Sequence, residues 1–302
     1  MTSNPGTAPR LLSAIVPIEQ APAPPGGAPA TGDGRAGRDV PVAIAVGIAL
    51  AGLVAASLVV YRPAFAVVVA LATSIGVWEL VSALRVRDIH PPVVPLVAGS
   101  VAMTVAAYVA GFAGLLAALP IVVATSAVWR AASPAGSWRR DVLAAAAVTA
   151  YVPFLGGFAL LLVTPSDGVR RVVVFVLLTA CSDVGGFVTG VLLGRHRLVP
   201  SISPGKTWEG LAGSALACVI AGVVVMTVLL PGAPWEGVVL GLAVTASATL
   251  GDLAESVIKR RTGIKDMGTL LPGHGGLMDR LDSLLPTAPV VWALLAVLVP
   301  AH

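Results

Sequence analysis

Charged side chains are scarce in this sequence. Asp, Glu, Lys and Arg make up 11% of its 302 residues, against about 25% in a soluble globular protein. A soluble fold of this size could not cover its surface with so few polar groups. For a chain that is 57% hydrophobic, the natural solvent is lipid. Cysteine is almost missing as well. Cys181 and Cys218 both lie in apolar runs, with neither metal-ligand spacing nor a paired framework, so they read as packing residues. The net charge of +4 does not call for a nucleic-acid partner. In a lipid-dissolved chain, a modest excess of Lys and Arg reflects cytoplasmic loops facing anionic lipid.

Residues 1–39 lack an apolar period, a long apolar run and the basic-then-apolar order of a secretory signal. Rich in Pro, Gly and Ala, they read as a disordered cytoplasmic tail. From Val40 the chain becomes a series of apolar stretches. A spanning helix needs about 20 apolar residues to cross about 30 Å of hydrocarbon. Candidates fall at 40–60, 64–83, 92–110, 112–128, 142–163, 170–193, 210–230, 236–256 and 284–300, with the third and fourth divided at Gly111. No short internal repeat is present. The expected fold is an all-α, polytopic integral membrane protein of about nine transmembrane helices. Its N-terminal helices fill 40–140 and a C-terminal catalytic region fills 141–302.

Basic residues alternate with the connections. One side holds Arg10, Arg35, Arg38, Arg85, Arg87, Arg130, Arg139, Arg140, Arg195, Arg197, Lys206, Lys259, Arg260, Arg261, Lys265 and Arg280. The other holds Arg62, Arg170 and Arg171. The positive-inside rule then places the N-terminus in the cytoplasm and the C-terminus outside.

Polar residues inside spans are expensive and therefore informative. Asp183 stands in the sixth span, Asp252, Glu255 and Ser256 end the eighth, and Glu79 lies near the end of the second. Asp252, Ser256 and Lys259 fall at i, i+4 and i+7 and share one helical face. A carboxylate, a hydroxyl and an ammonium on that face suit a metal-bound phosphate, although an ordinary helix-end ion pair would look the same. Farther on, the run from Lys265 to Asp282 is dense in Gly and charge. Its glycines permit close backbone approach to a ligand, and Asp279 and Asp282, three apart, offer hard oxygens suited to magnesium. A Gly-rich surface loop with a capping Asp is the bland alternative. The loop from Arg195 to Gly210 contains Gly205-Lys206-Thr207, but a phosphate-binding P-loop would need glycine where Pro200 stands. What remains is a basic, hydroxyl-bearing loop fit for phosphate contact or for anchoring to anionic lipid.

Ser256, Lys259-Arg260, Lys265-Asp266, Gly268, Pro272, His274-Gly275-Gly276, Asp279-Arg280 and Asp282 together resemble the signature of the phosphatidate cytidylyltransferases, the CDP-diacylglycerol synthases. The run Ser203-Pro204-Gly205-Lys206-Thr207-Trp208-Glu209-Gly210 is similar to a second motif of that family, and Asp183 with its small neighbours to a third. The likeness runs from about residue 140 to the end. Members of that family often carry a tyrosine soon after the Asp183 position; here the chain reads Gly185-Gly186-Phe187.

The resemblance implies a multi-pass enzyme of the plasma membrane with its active site at the cytoplasmic face. Phosphatidate would enter from membrane lipid and CTP from the cytoplasm, with CDP-diacylglycerol and pyrophosphate leaving. It also implies a requirement for Mg2+, with a second cation as an option, and a homodimer. Phosphatidate is already largely a dianion near neutral pH, so the obstacle is the approach of one anion to another rather than proton removal. On this reading Asp252, Lys259, Asp279 and Asp282 are the catalytic candidates, and Asp252, Asp279, Asp282 and Asp183 the metal candidates. Ser201, Ser203, Lys206, Thr207, Ser256, Arg260, Lys265, His274 and Arg280 would bind substrate. The rivals are a CTP-dependent kinase or cytidylyltransferase of an isoprenoid lipid, and a transporter. A transporter would carry mid-membrane polar residues on several spans and repeat symmetry.

Overall fold

The computed structural model describes residues 36–60, 62–132, 137–268, 270 and 275–299. The chain divides into units 1–38 and 39–302, and the site lies in the second. Most of the expected tail falls outside the described residues, while 36–39 already belong to the first helix, α1 (Ala36–Val60). There follow α2 (Arg62–Arg85), α3 (Val93–Ala131), α4 (Trp138–Thr149), a π-helical turn (Ala150–Phe154) and α5 (Leu155–Val163). After α6 (Gly168–Leu193) come strands β1 (Arg197–Val199) and β2 (Ser203–Thr207). The chain ends in α7 (Trp208–Val228), α8 (Pro234–Thr262), the single turn α9 (Met278–Leu281) and α10 (Leu284–Leu298).

Among the described residues, seven helical segments are long and apolar enough to cross a membrane, against the nine expected. Part of the difference lies in α3. Its 39 residues would overshoot a bilayer if straight, but Gly111 has φ 63° and ψ −149°, a conformation open essentially to glycine. The chain reverses there: Val122 of the second arm packs directly on Gly99 of the first. The arms 93–110 and 112–131 thus form an antiparallel pair divided where the sequence divides them. The remaining expected span is α1, in which Ala49–Val60 is a shorter apolar helix. One crossing, Trp138–Val163, is α4, the π turn and α5 run together. Pro153 lies in that turn, where the wider winding accommodates a residue that cannot donate to the helix ladder.

Side chains such as Val59, Val109, Val128 and Leu192 point outward, as they must where the solvent is lipid. The interior holds Val77, Leu96, Met103, Leu115, Val152, Leu160, Leu178 and Leu240. Two buried arginines fasten the ends of the bundle. Arg130 pairs with Asp141 at 2.8 Å, and Asp141 also accepts the His90 amide at 2.8 Å, tying α3, α4 and the α2–α3 connection together. At the opposite end, Arg171 pairs with Asp167 at 2.8 Å and donates to the carbonyls of Leu295 and Val299 at 3.2 and 2.5 Å, closing the C-terminus of α10.

A departure from the all-α expectation is the β1–β2 hairpin, antiparallel with Arg197 opposite Thr207 and Val199 opposite Ser203. As the shared face of Asp252, Ser256 and Lys259 requires, α8 runs on past the apolar span to Thr262, so that Lys259, Arg260 and Arg261 form its last turn. Cations there suit the negative end of the helix dipole, and Gly263, at φ 77°, ends the helix in a left-handed cap.

Candidate active site

The sequence puts isolated polar groups on α2, α6, α8 and α9, and the packing gathers those of α6, α8 and α9. Asp183, Lys206, Thr207, Asp252, Ser256, Lys259, Asp279, Arg280 and Asp282 line one cavity of about 580 Å3. The face read from i, i+4 and i+7 spacing on α8 is therefore a cavity wall. Opposite it stand α6 and α7, whose Gly186, Gly190 and Gly210 also line the space, with Phe187, Leu198 and Leu211 as apolar patches among the polar groups.

Lys206, carried by β2, forms an ion pair with Asp252. Lys259 bridges Asp279 at 2.6 Å and Glu255, one turn back on its own helix, at 3.1 Å. Asp279 also accepts the Gly276 amide at 2.6 Å and the Met267 amide at 3.2 Å. Its two oxygens thus hold the loop as well as face the cavity. Asp282 accepts from the Ser283 amide at 2.7 Å and lines the cavity together with Asp252 and Glu255. Ser283 Oγ donates to Asp183 at 3.4 Å, linking α6 to the α9–α10 junction.

Other expected contacts fall elsewhere. Ser201, at the hairpin turn, Ser203, Arg260 and Lys265 do not line the cavity. Arg260 is one residue past Lys259, about 100° round the helix, and its Nε donates to the Ile202 carbonyl at 3.2 Å, so it holds the hairpin rather than the cavity. Lys265 lies exposed beyond the end of α8. Thr207 Oγ1 accepts the Gly210 amide at 3.0 Å, which makes it the N-cap of α7. His274 lies outside the described residues.

Three carboxylates were not among the expected site residues, and one of them, Asp266 of the signature run, lines the cavity; the other two are Glu255 and Glu79. Glu255, 3% exposed, lies between Lys259 and Asp282, and its Oε1 is buried with no hydrogen-bond partner. Glu79 reaches the signature loop from α2 and accepts the amides of Leu277 and Met278 at 3.0 and 2.7 Å. Glu255 and Glu79 were visible as acids inside apolar spans; neither falls in a motif that would assign it a partner.

The charge balance of the cavity decides what can bind there. Its lining carries the carboxylates Asp183, Asp252, Glu255, Asp266, Asp279 and Asp282 against the cations Lys206, Lys259 and Arg280. A polyphosphate meeting that wall would be repelled unless further positive charge came with it. Among the described residues, no three His, Cys, Asp or Glu side chains are placed to hold one metal ion, and Lys206 and Lys259 are paired with two of the acids. The excess of carboxylates and the unpartnered Glu255 oxygen nonetheless fit a hard divalent cation, which takes oxygen ligands and is held through one or two carboxylates with phosphate oxygens.

A bundle of apolar helices with this cavity at one end defines a polytopic membrane enzyme that handles phosphate. A model of the cytidylyltransferase family matches residues 41–298, and the chain belongs to that family, which makes it a nucleotidyltransferase. A protein described as phosphatidate cytidylyltransferase from Mycobacterium leprae is 41% identical over 280 residues, covering 87% of this chain and 90% of the relative. Its counterpart from Mycobacterium tuberculosis strain H37Rv is 41% identical over 285 residues, covering 89% and 86%. A shorter match joins 46% of this chain to 54% of the phosphatidate cytidylyltransferase of Staphylococcus saprophyticus, at 38% identity.

Proposed function

We propose that the chain transfers the cytidylyl group of CTP to phosphatidate, giving CDP-diacylglycerol and pyrophosphate for phospholipid synthesis. The observation that carries this reading is the cavity itself: lysines paired with carboxylates, acidic in excess, at the charged end of an apolar bundle. The names of the relatives, which cover most of the chain, support the choice of substrates.

A phosphate oxygen of phosphatidate attacks the α-phosphorus of CTP, the bond from that phosphorus to the bridging oxygen breaks, and pyrophosphate leaves with the electron pair. No proton need be removed from a nucleophile that is already a dianion. Lys206 and Lys259 exchange their carboxylate partners for phosphate oxygens as substrate enters, and Arg280 adds a third cation on the same wall. Ser256 offers a hydroxyl one turn from Asp252. Phe187, Leu198 and Leu211 give the lipid's glycerol end an apolar approach. Asp252, Asp279 and Asp282, with Asp183 on the facing wall, are the residues that would hold Mg2+, one or two directly and the others through water. A bound divalent ion offsets phosphate charge and stabilises the departing pyrophosphate oxygen.

The reading places the cavity at the cytoplasmic face of the plasma membrane, the N-terminus inside and the C-terminus outside. Its support is the clustering of Arg85, Arg87, Arg130, Arg139, Arg140, Arg195 and Arg197 at helix ends and connections on the cavity side. It also includes a homodimer, which cross-linking in native membranes would detect. The deciding experiment incubates purified protein with phosphatidate, Mg2+ and CTP labelled either in the cytosine or in the γ-phosphate. Lipid-soluble cytosine label is expected. Label from the γ-phosphate in lipid would mean a kinase, and no lipid label at all from folded protein would sink the reading.

A further inference from the structure

Glu79 is the buried acid that the chemistry above leaves without a task. It is 1% exposed and belongs to α2, in the half of the chain that carries none of the family motifs. Its two oxygens are spent on consecutive backbone amides, Oε1 on Leu277 at 3.0 Å and Oε2 on Met278 at 2.7 Å. The preceding amide, Gly276, donates to Asp279 at 2.6 Å. Three successive N–H groups at the entry to α9 are thus divided between Glu79, from outside, and Asp279, from within. The loop closes tightly on this contact: a side chain at either Gly268 or Gly276 would overlap the Glu79 carboxylate. Two signature glycines are therefore explained by a residue nearly 200 positions earlier.

We propose that Glu79 is a positioning residue for the signature loop: its carboxylate fixes the Leu277–Met278 backbone and thereby aims Asp279 and Lys259 at the cavity. A carboxylate is suited to this because it accepts from both amides at once without offering a donor. Glutamine of the same length can accept from one and must turn its NH2 toward the other. Partners one step behind the reacting groups typically cost about 10- to 100-fold in metal affinity or activity when altered.

This inference rests on the nucleotidyl-transfer reading for its kinetic readout but not for its structural one. Glu79→Gln, Glu79→Asp and wild type are compared by Mg2+ titration of initial rates and by hydrogen exchange of the 276–283 segment in detergent. For Glu79→Gln, we expect the half-saturating Mg2+ concentration to rise about ten-fold or more, faster exchange at Leu277 and Met278, and a lowered thermal midpoint, because the NH2 group faces a buried backbone N–H. Glu79→Asp, which keeps the charge on a shorter stem, should recover part of both effects. Unchanged Mg2+ dependence and unchanged exchange in Glu79→Gln would overturn the proposal. So would a rate loss matched by lost folded protein with the Mg2+ dependence of the remainder intact. If Glu79→Gln does not fold, Glu79→Asp decides by the same measurements. A wild-type protein that transfers no cytidylyl group defeats the reading of function, and the exchange data still test the loop contact.

Discussion

Lys206 separates catalysis from architecture, because its ion pair with Asp252 is one that stability hardly needs. The Lys206 and Asp252 side chains are 26% and 27% exposed, and pairs near water contribute about 0.2–1 kcal/mol. Lys206→Met keeps the stem and removes the charge, so the thermal midpoint in detergent should fall by less than about 4 °C. The effect on turnover should be far larger. Three cationic side chains face six carboxylates in the cavity, and deleting one strips a third of the fixed positive charge that meets a polyanion. Removal of one preorganised contact to developing charge costs about 2.7–4 kcal/mol, or 100- to 1,000-fold in kcat. Initial rates at varied CTP and saturating phosphatidate would show kcat/KM for CTP falling by that factor, with Lys206→Arg recovering part of it. Wild-type rate and CTP dependence in folded Lys206→Met would refute the assignment. A rate loss no greater than the loss of folded protein would do the same.

Other outcomes follow from the same contacts. Asp279→Asn should lower activity by about 10- to 100-fold. It should also lower the thermal midpoint, because its amide group must face either Lys259 or a buried backbone N–H; full turnover would remove Asp279 from the site. Chelation with EDTA should abolish cytidylyl transfer and added Mg2+ should restore it, whereas activity that survives chelation would contradict the role given to the surplus carboxylates. Arg130→Met leaves the buried Asp141 carboxylate with, among the described residues, the His90 amide, and should cost about 3–5 kcal/mol. Replacing Asp141 with Leu in the same protein should return part of that loss, measured by thermal unfolding in detergent.

Much of the architecture was legible because lipid imposes one rule on a whole segment. Apolar runs mark the spans, and an acid within such a run stands out. Asp252, Ser256 and Lys259 shared a cavity wall because helical periodicity alone sets their facing. The hairpin at 197–207 was not legible: its Gly, Pro and Ser content hides the alternation by which strands announce themselves. Arg260 resembled Lys259 in charge and differed from it only by a rotation that brought it under Ile202. Glu79 was visible but could not be assigned, since its partners are backbone amides 198 and 199 positions away, and amides carry no side-chain identity. Asp279 was legible as an acid at the site, but its hold on Gly276 and Met267 required the folded loop.

At Gly251, α8 touches the chain that leads into α10 backbone to backbone: a methyl group there would collide with the Asp282 carbonyl and the Pro286 ring. Asp252 is the next residue along α8, and Asp282 is the residue whose carbonyl is touched. The gap between these acids is therefore gauged by two main chains, with no compressible side chain as a spacer. Exchanging the greasy exterior for other greasy residues leaves that gauge untouched, whereas adding one carbon at its midpoint resets it.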